Sequence, residues 1–136
     1  MPTDSQNLAQ SVVRLSRRLR QERQSELTAN QMSVLGALRT KGPLTPGAIA
    51  AHEHVQPPSM TRTINCLDEA GLVTRGQHPD DGRQVIVTIS AKGEDVLATE
   101  RARRDQWLAR RIAELSTDNR KVLRSAAVIL AGLATS

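Results

Sequence analysis

A chain of 136 residues fits one domain, or one binding module with helical extensions, and can bury a core without staples. Its single cysteine excludes an intramolecular disulfide and suits a reducing cytoplasm, while the polar start MPTDSQN carries no secretory pattern and no apolar run nears the roughly 18–20 residues that span a bilayer. With no Phe, no Tyr and one Trp, the composition argues against single-strand binding through base stacking on aromatic platforms, and the net charge of +5 is only a mild hint of a polyanionic partner.

The elements follow in chain order. From about Asn7 to Gln24, Leu8, Val12, Leu15 and Leu19 fall on one helical stripe flanked by arginines, so this amphipathic helix needs a partner for its apolar face. Thr28 to Gln31 reads as a capping box ahead of Met32, Leu35 and Leu38, and Gly42-Pro43 stops that helix. Thr45-Pro46 starts a short helix that ends near His54. Pro57-Pro58 opens the next, which runs to about Ala70 with Gly71 closing it.

The period then changes. Leu72 to Arg75 predicts a short strand, His78 to Gly82 a turn, and Arg83 to Ile89 a strand with Val85, Val87 and Ile89 on one face. Ser90 caps a long helix from Ala91 to about Ala113. Ser116 or Thr117 caps the last helix, which carries the stripe Val122, Ala126, Ile129, Leu130 and Leu133. The fold class is mainly α with a small β-hairpin wing: a winged helix-turn-helix core at 28–89, an N-terminal dimerisation helix at 1–27 and C-terminal dimerisation helices at 90–136.

The helix from Pro58 to Ala70 carries the chemistry. On a 100° wheel Met60, Ile64 and Leu67 cluster on the core side, while Arg62, Asn65 and Glu69 point away. Ser59 and Thr61 flank the outer face and Thr63 sits nearer the core edge. These side chains reach base edges and phosphates, arginine pairing with guanine and asparagine with adenine. Arg62 comes early and Asp68-Glu69 late, the reverse of what the helix dipole favours. That order suits a helix whose first half meets phosphate, and an ordinary solvated face is the alternative. At the turn, Asp81 precedes Arg83 by two residues and can hold it for entry into a narrow minor groove; a surface ion pair is the plain alternative. Bulk charge adds nothing here, because residues 28–89 carry five basic and five acidic side chains.

Taken together, the segments resemble the MarR family over nearly the whole chain. The residues that carry the resemblance are Leu27 to Gln31, Leu44 to Ala50, Pro58 to Leu67, Ala70 to Arg75, Asp81-Gly82-Arg83 and Ile89 to Gly93, in this order and spacing. The resemblance implies a homodimer with interleaved first and last helices, bound to double-stranded DNA at an inverted-repeat operator. It implies a major-groove helix carried by Ser59, Thr61, Arg62, Thr63 and Asn65, a further DNA contact from Arg75 of the following strand, and a DNA-binding wing with Asp81 and Arg83. It further implies repression, and release by a small, phenolic-type effector bound between the dimerisation and DNA-binding regions. Gly82 stands where a second wing arginine is common, and His54 where the turn often carries glycine.

Other motifs point nowhere special. His52-Glu53-His54 lacks the spacing of metal ligands on a helix face, so no metal or other cofactor is expected. Cys66 reads as a buried or half-buried structural thiol. The pairs Arg103-Arg104 and Arg110-Arg111 read as a solvated face, and Trp107 as dimer core. No nucleophile–base pair or phosphate loop suggests an enzyme. Two readings remain beside the sequence-specific regulator. A non-specific architectural DNA-binding protein would need a basic surface throughout. A winged-helix protein-interaction module would have no use for Arg62, Asp81 and Arg83.

Overall fold

Side-chain oxygens start five of the six helices. The computed structural model describes residues 1–22 and 25–136 in the order α1 (Asp4–Gln21), α2 (Ala29–Lys41), α3 (Pro46–Glu53), α4 (Pro57–Glu69), β1 (Val73–Gln77), β2 (Val85–Ile89), α5 (Ala91–Ala113) and α6 (Thr117–Ala134). Thr3, Thr28, Thr45, Ser90 and Ser116 each accept a backbone N–H of the first turn. Thr3–Gln6 and Thr28–Gln31 are complete capping boxes. The first box starts α1 three residues before the expected Asn7, and the expected end at Gln24 lies outside the described residues.

The core sits in the α2–α4 lobe. Val34, Leu35 and Leu38 of α2 meet Ile49 of α3, Met60, Ile64 and Leu67 of α4, Leu72 and Val73 at the root of the hairpin, Val87 of β2 and Leu97 of α5. Each such side chain contributes roughly 1.5–3 kcal/mol on burial. β1 and β2 pair antiparallel from Val73↔Ile89 to Gln77↔Val85. Leu44 adds a third, one-residue rung, exchanging both backbone hydrogen bonds with Val87 at 3.1 and 2.8 Å. The strands are displaced from expectation, β1 running on to Gln77 and β2 beginning at Val85. Val87 is buried and Ile89 half-buried, but Val85 is exposed, because its rung at the far end of the ladder lies beyond the core.

Three elements meet at one junction. Gly71 closes α4 with φ +76°. The Ser90 hydroxyl donates to the Gly71 carbonyl at 2.6 Å and accepts the Gly93 N–H at 3.0 Å, while the Ser90 N–H donates to the Leu72 carbonyl at 3.0 Å. Lys92 Nζ reaches the Ala70 carbonyl at 3.0 Å. The first turn of α5 therefore lies directly on the end of α4 and the start of β1. Gly93 permits this approach: a Cβ there would stand 2.1 Å from the Leu72 carbonyl oxygen.

α5 also holds the chain end of α1. Glu100 is buried and its carboxylate accepts the Ser25 N–H at 3.1 Å, which pins the connection between α1 and α2. Beyond it, Trp107 is half-buried, with Arg18 of α1 and Arg111 of α5 over its ring at 4.5 and 5.5 Å. Arg103 is half-buried as well, whereas Arg104, Arg110 and Arg111 are exposed, as a solvated face requires. By contrast α6 has no buried residue and touches the rest of the described chain only sparsely. Among the described residues no helix is long and apolar enough to cross a membrane.

Gly93→Ala should lower thermal stability markedly, by about 1–3 kcal/mol or more, since backbone must move to admit the methyl group. Gly132→Ala, in a helix with open space at that position, is the control and should be neutral or slightly stabilising. Thermal melts followed by circular dichroism separate the two.

Candidate nucleic-acid interface

Helices α3 and α4 form the helix-turn-helix. The turn between them depends on His54, the one non-glycine residue with positive φ among those described, at φ 55° and ψ 43°. This left-handed conformation explains why glycine suits the position. Prolines at the first two positions of α4 need no N–H acceptor there, and no side chain caps its N-terminal end.

The amphipathic pattern of α4 positions its polar side chains. Met60, Ile64 and Leu67 are buried in the core, which turns Ser59, Thr61, Arg62 and Asn65 outward as exposed residues and leaves Thr63 half-buried. Thr61 Oγ1 donates to the Pro57 carbonyl at 3.0 Å and Thr63 Oγ1 to the Ser59 carbonyl at 3.1 Å. Both hydroxyls thereby keep lone pairs available as acceptors. Cys66, expected to be buried or half-buried, is exposed. It lies about 200° around the helix from Ile64, so helix geometry outweighs the thiol's general preference for burial.

Arg75 does more than occupy a place in β1. Its guanidinium donates to Asn65 Oδ1 and lies 3.8 Å from the Asp68 carboxylate. The root of the wing is thus clasped to the outer face of α4. This contact also gives the late acid of α4 a counter-charge, easing the unfavourable order seen along the helix.

The wing tip is built from local hydrogen bonds. His78 Nδ1 accepts the N–H groups of Asp80 and Asp81 at 3.1 and 3.2 Å, and Gln77 Nε2 donates to the Gly82 carbonyl at 3.2 Å. Asp81 Oδ1 accepts the Arg83 backbone N–H at 3.1 Å and its Nε at 3.2 Å. These two contacts, the backbone one foremost, hold the Asp81 carboxyl below its ordinary range. The clasp's contribution is therefore fully present above the usual carboxylate range. It is lost only as pH falls through the lowered value. Arg83 itself is 91% exposed along its side chain, a cation presented at the end of the hairpin.

Among the described residues His, Cys, Asp and Glu do not gather into a set that could hold a metal ion. Two features escape sequence reasoning. The Leu44–Val87 rung has no periodic signal. The Asn65–Arg75–Asp68 contact joins residues ten and seven positions apart on different elements.

The MarR family model matches residues 27–85, which span the helix-turn-helix and most of the hairpin. An HTH-type transcriptional regulator of Mycobacterium tuberculosis is 44% identical over 128 residues, covering 93% of this chain and 90% of that one. A putative transcriptional regulator of Pseudomonas aeruginosa of known structure is 31% identical with a TM-score of 0.85, over 99% of both chains. The structure of a mutant MarR from Escherichia coli shares the fold at a TM-score of 0.84 and 21% identity, over 96% of this chain and 97% of that one. The chain belongs to the MarR family of helix-turn-helix transcriptional regulators, which are DNA-binding proteins and not enzymes.

Proposed function

We propose that the protein is a homodimeric repressor that reads an inverted-repeat operator and lets go of it when a small ligand binds. In each half-site α4 enters the major groove, with Ser59, Thr61, Arg62, Thr63 and Asn65 toward bases and phosphates and Arg75 behind them. The wing carries Arg83, steadied by Asp81, to the neighbouring minor groove. The observation that carries this reading is the pairing of an outward polar face on α4 with an exposed, Asp81-bonded cation at the wing tip. An arginine already drawn toward its turn by one carboxylate contact presents its charge at the groove where the potential is most negative.

The dimer is supported by what α1 and α6 leave uncovered. Neither helix has a buried residue. Val122, Val128, Ile129 and Leu133 are between 58% and 74% exposed, and Leu8, Val12 and Leu15 between 42% and 46%. Ala126 and Leu19 are half-buried and Leu130 is exposed. Two long apolar faces at opposite ends of one chain suit interleaving with a second copy, since monomers rarely leave such area in water.

Effector release is supported by a cleft of about 580 Å³ between α1, α2, α3 and α5. Leu19, Met32 and Leu97 make part of its wall, and Arg20, Lys41 and Arg101 bring positive charge to it. Its walls join the α1 and α5 helices to the recognition lobe, so a ligand there acts on their relative placement. A protein controlled by this route responds only to ligands that bind one placement better than the other.

Selection from a randomised duplex pool should return an inverted repeat. Arg62→Ala should cost about 1–3 kcal/mol per half-site and relax preference at one position of each. Arg83→Ala should weaken all duplexes and reduce the slope of log affinity against log salt by about 1 per wing. A pool returning no enriched motif sinks the reading. Ile129→Glu, on a face open to water in the single chain, should abolish the dimer in light scattering. If Ile129→Glu keeps the wild-type dimer mass, α6 is not at the interface.

A further inference from the structure

We propose that Arg75 is a positioning residue that biases which bases Asn65 accepts, by fixing the Asn65 amide so that its donor end is offered to DNA ahead of its acceptor end. The inference rests on the reading that α4 faces the major groove, and it concerns how one position is read.

The chemistry of the two groups decides the orientation. A guanidinium has donors and no acceptor, so the end of the amide that faces Arg75 must be its oxygen. That contact is present, from Arg75 Nη2 to Asn65 Oδ1. Asp68, one helical turn beyond Asn65, holds the same guanidinium from its other side at 3.8 Å. Arg75 belongs to β1, whose ladder with β2 is anchored at Val73↔Ile89 on the buried Val73, so the cation has a fixed base. Asn65 is exposed, on the face of α4 opposite the core residues. Its Oδ1 is directed to Arg75, and Nδ2 is the end turned away from it.

An asparagine free to rotate pairs with adenine through both ends, accepting from N6 and donating to N7. With one lone pair of Oδ1 taken by Arg75 the amide plane is fixed, and the second lone pair serves adenine N6 only when the base lies in that plane, so the two-point pairing is weakened. The Nδ2 hydrogens remain, and they suit a base edge that shows acceptors: guanine through O6 and N7, or thymine through O4. Arg75 thus biases the usual adenine reader toward acceptor edges without touching the base itself.

The test is selection from a randomised duplex pool by the full-length wild-type protein and by its Asn65→Ala, Arg75→Ala and Arg75→Met variants, with circular dichroism melts to show that each is folded. Asn65→Ala identifies the position it reads by flattening preference there. At that position the wild type should enrich guanine or thymine over adenine. Both Arg75 variants should move the preference to adenine by about fivefold or more, the size of one added base contact. A general loss of affinity in the Arg75 variants, with every position of the motif unchanged, overturns the inference and leaves the operator-reading function intact. Adenine preference in the wild type at the Asn65 position also overturns it. A wild-type pool with no motif at all overturns the operator-reading function, and this inference with it.

Discussion

The structure turns on the close seating of the first turn of α5 against the end of α4. Gly93 lets the helix approach to where a methyl group would overlap the Leu72 carbonyl. Ser90 uses its hydroxyl and its N–H to bind the Gly71 and Leu72 carbonyls and to cap its own helix at once. At this point α4 ends, the hairpin begins and the long helix α5 starts. Without a side chain at residue 93 these three can share one set of backbone groups, paired with one another as a close-packed junction requires.

From that junction the rest of the design follows. α4 is held at its end by the junction and along its inner face by Met60, Ile64 and Leu67. The wing is held at its root by Val73 and Val87, by the Leu44 rung, and by Arg75 reaching across to α4. α5 carries the effect outward for 23 residues, through buried Glu100 and its grip on Ser25, toward α1 and α6. A shift of α5 against α2 therefore cannot leave α4 and the wing where they were. The cleft between α1, α2, α3 and α5 lies against the same long helix whose first turn forms that junction.

Much of this arrangement is legible in the amino-acid sequence, and the reasons are local. Thr28–Gln31, Thr45-Pro46 and Ser90 announce helix starts because a cap needs one oxygen at one position. Gly71 marks the end of α4 for an equally local reason. The Thr3–Gln6 box carries the same signal as Thr28–Gln31, so the true start of α1 is open to the same logic. Val85 alternates correctly with Val87 but lies past the core, because period shows which face a residue takes and not how far the core extends. Asn65 and Arg75 are each legible as candidate DNA contacts. Their contact is not, since it depends on how a strand passes a helix. Glu100 is hidden for the opposite reason: a charged residue in a charged helix band reads as solvated until a loop closes over it.

Engagement of one duplex by two copies of α4 and two wings, related by a dyad, is the claim on which the functional reading stands. Hydroxyl-radical footprinting on a duplex selected by the protein tests it most directly. Dyad-related binding predicts two symmetric sets of protected sugars, their centres about one helical turn or a multiple of it apart, with flanking minor-groove protection that Arg83→Ala removes. A single unpaired set of protections, or uniform protection with no fixed register along the duplex, would contradict it.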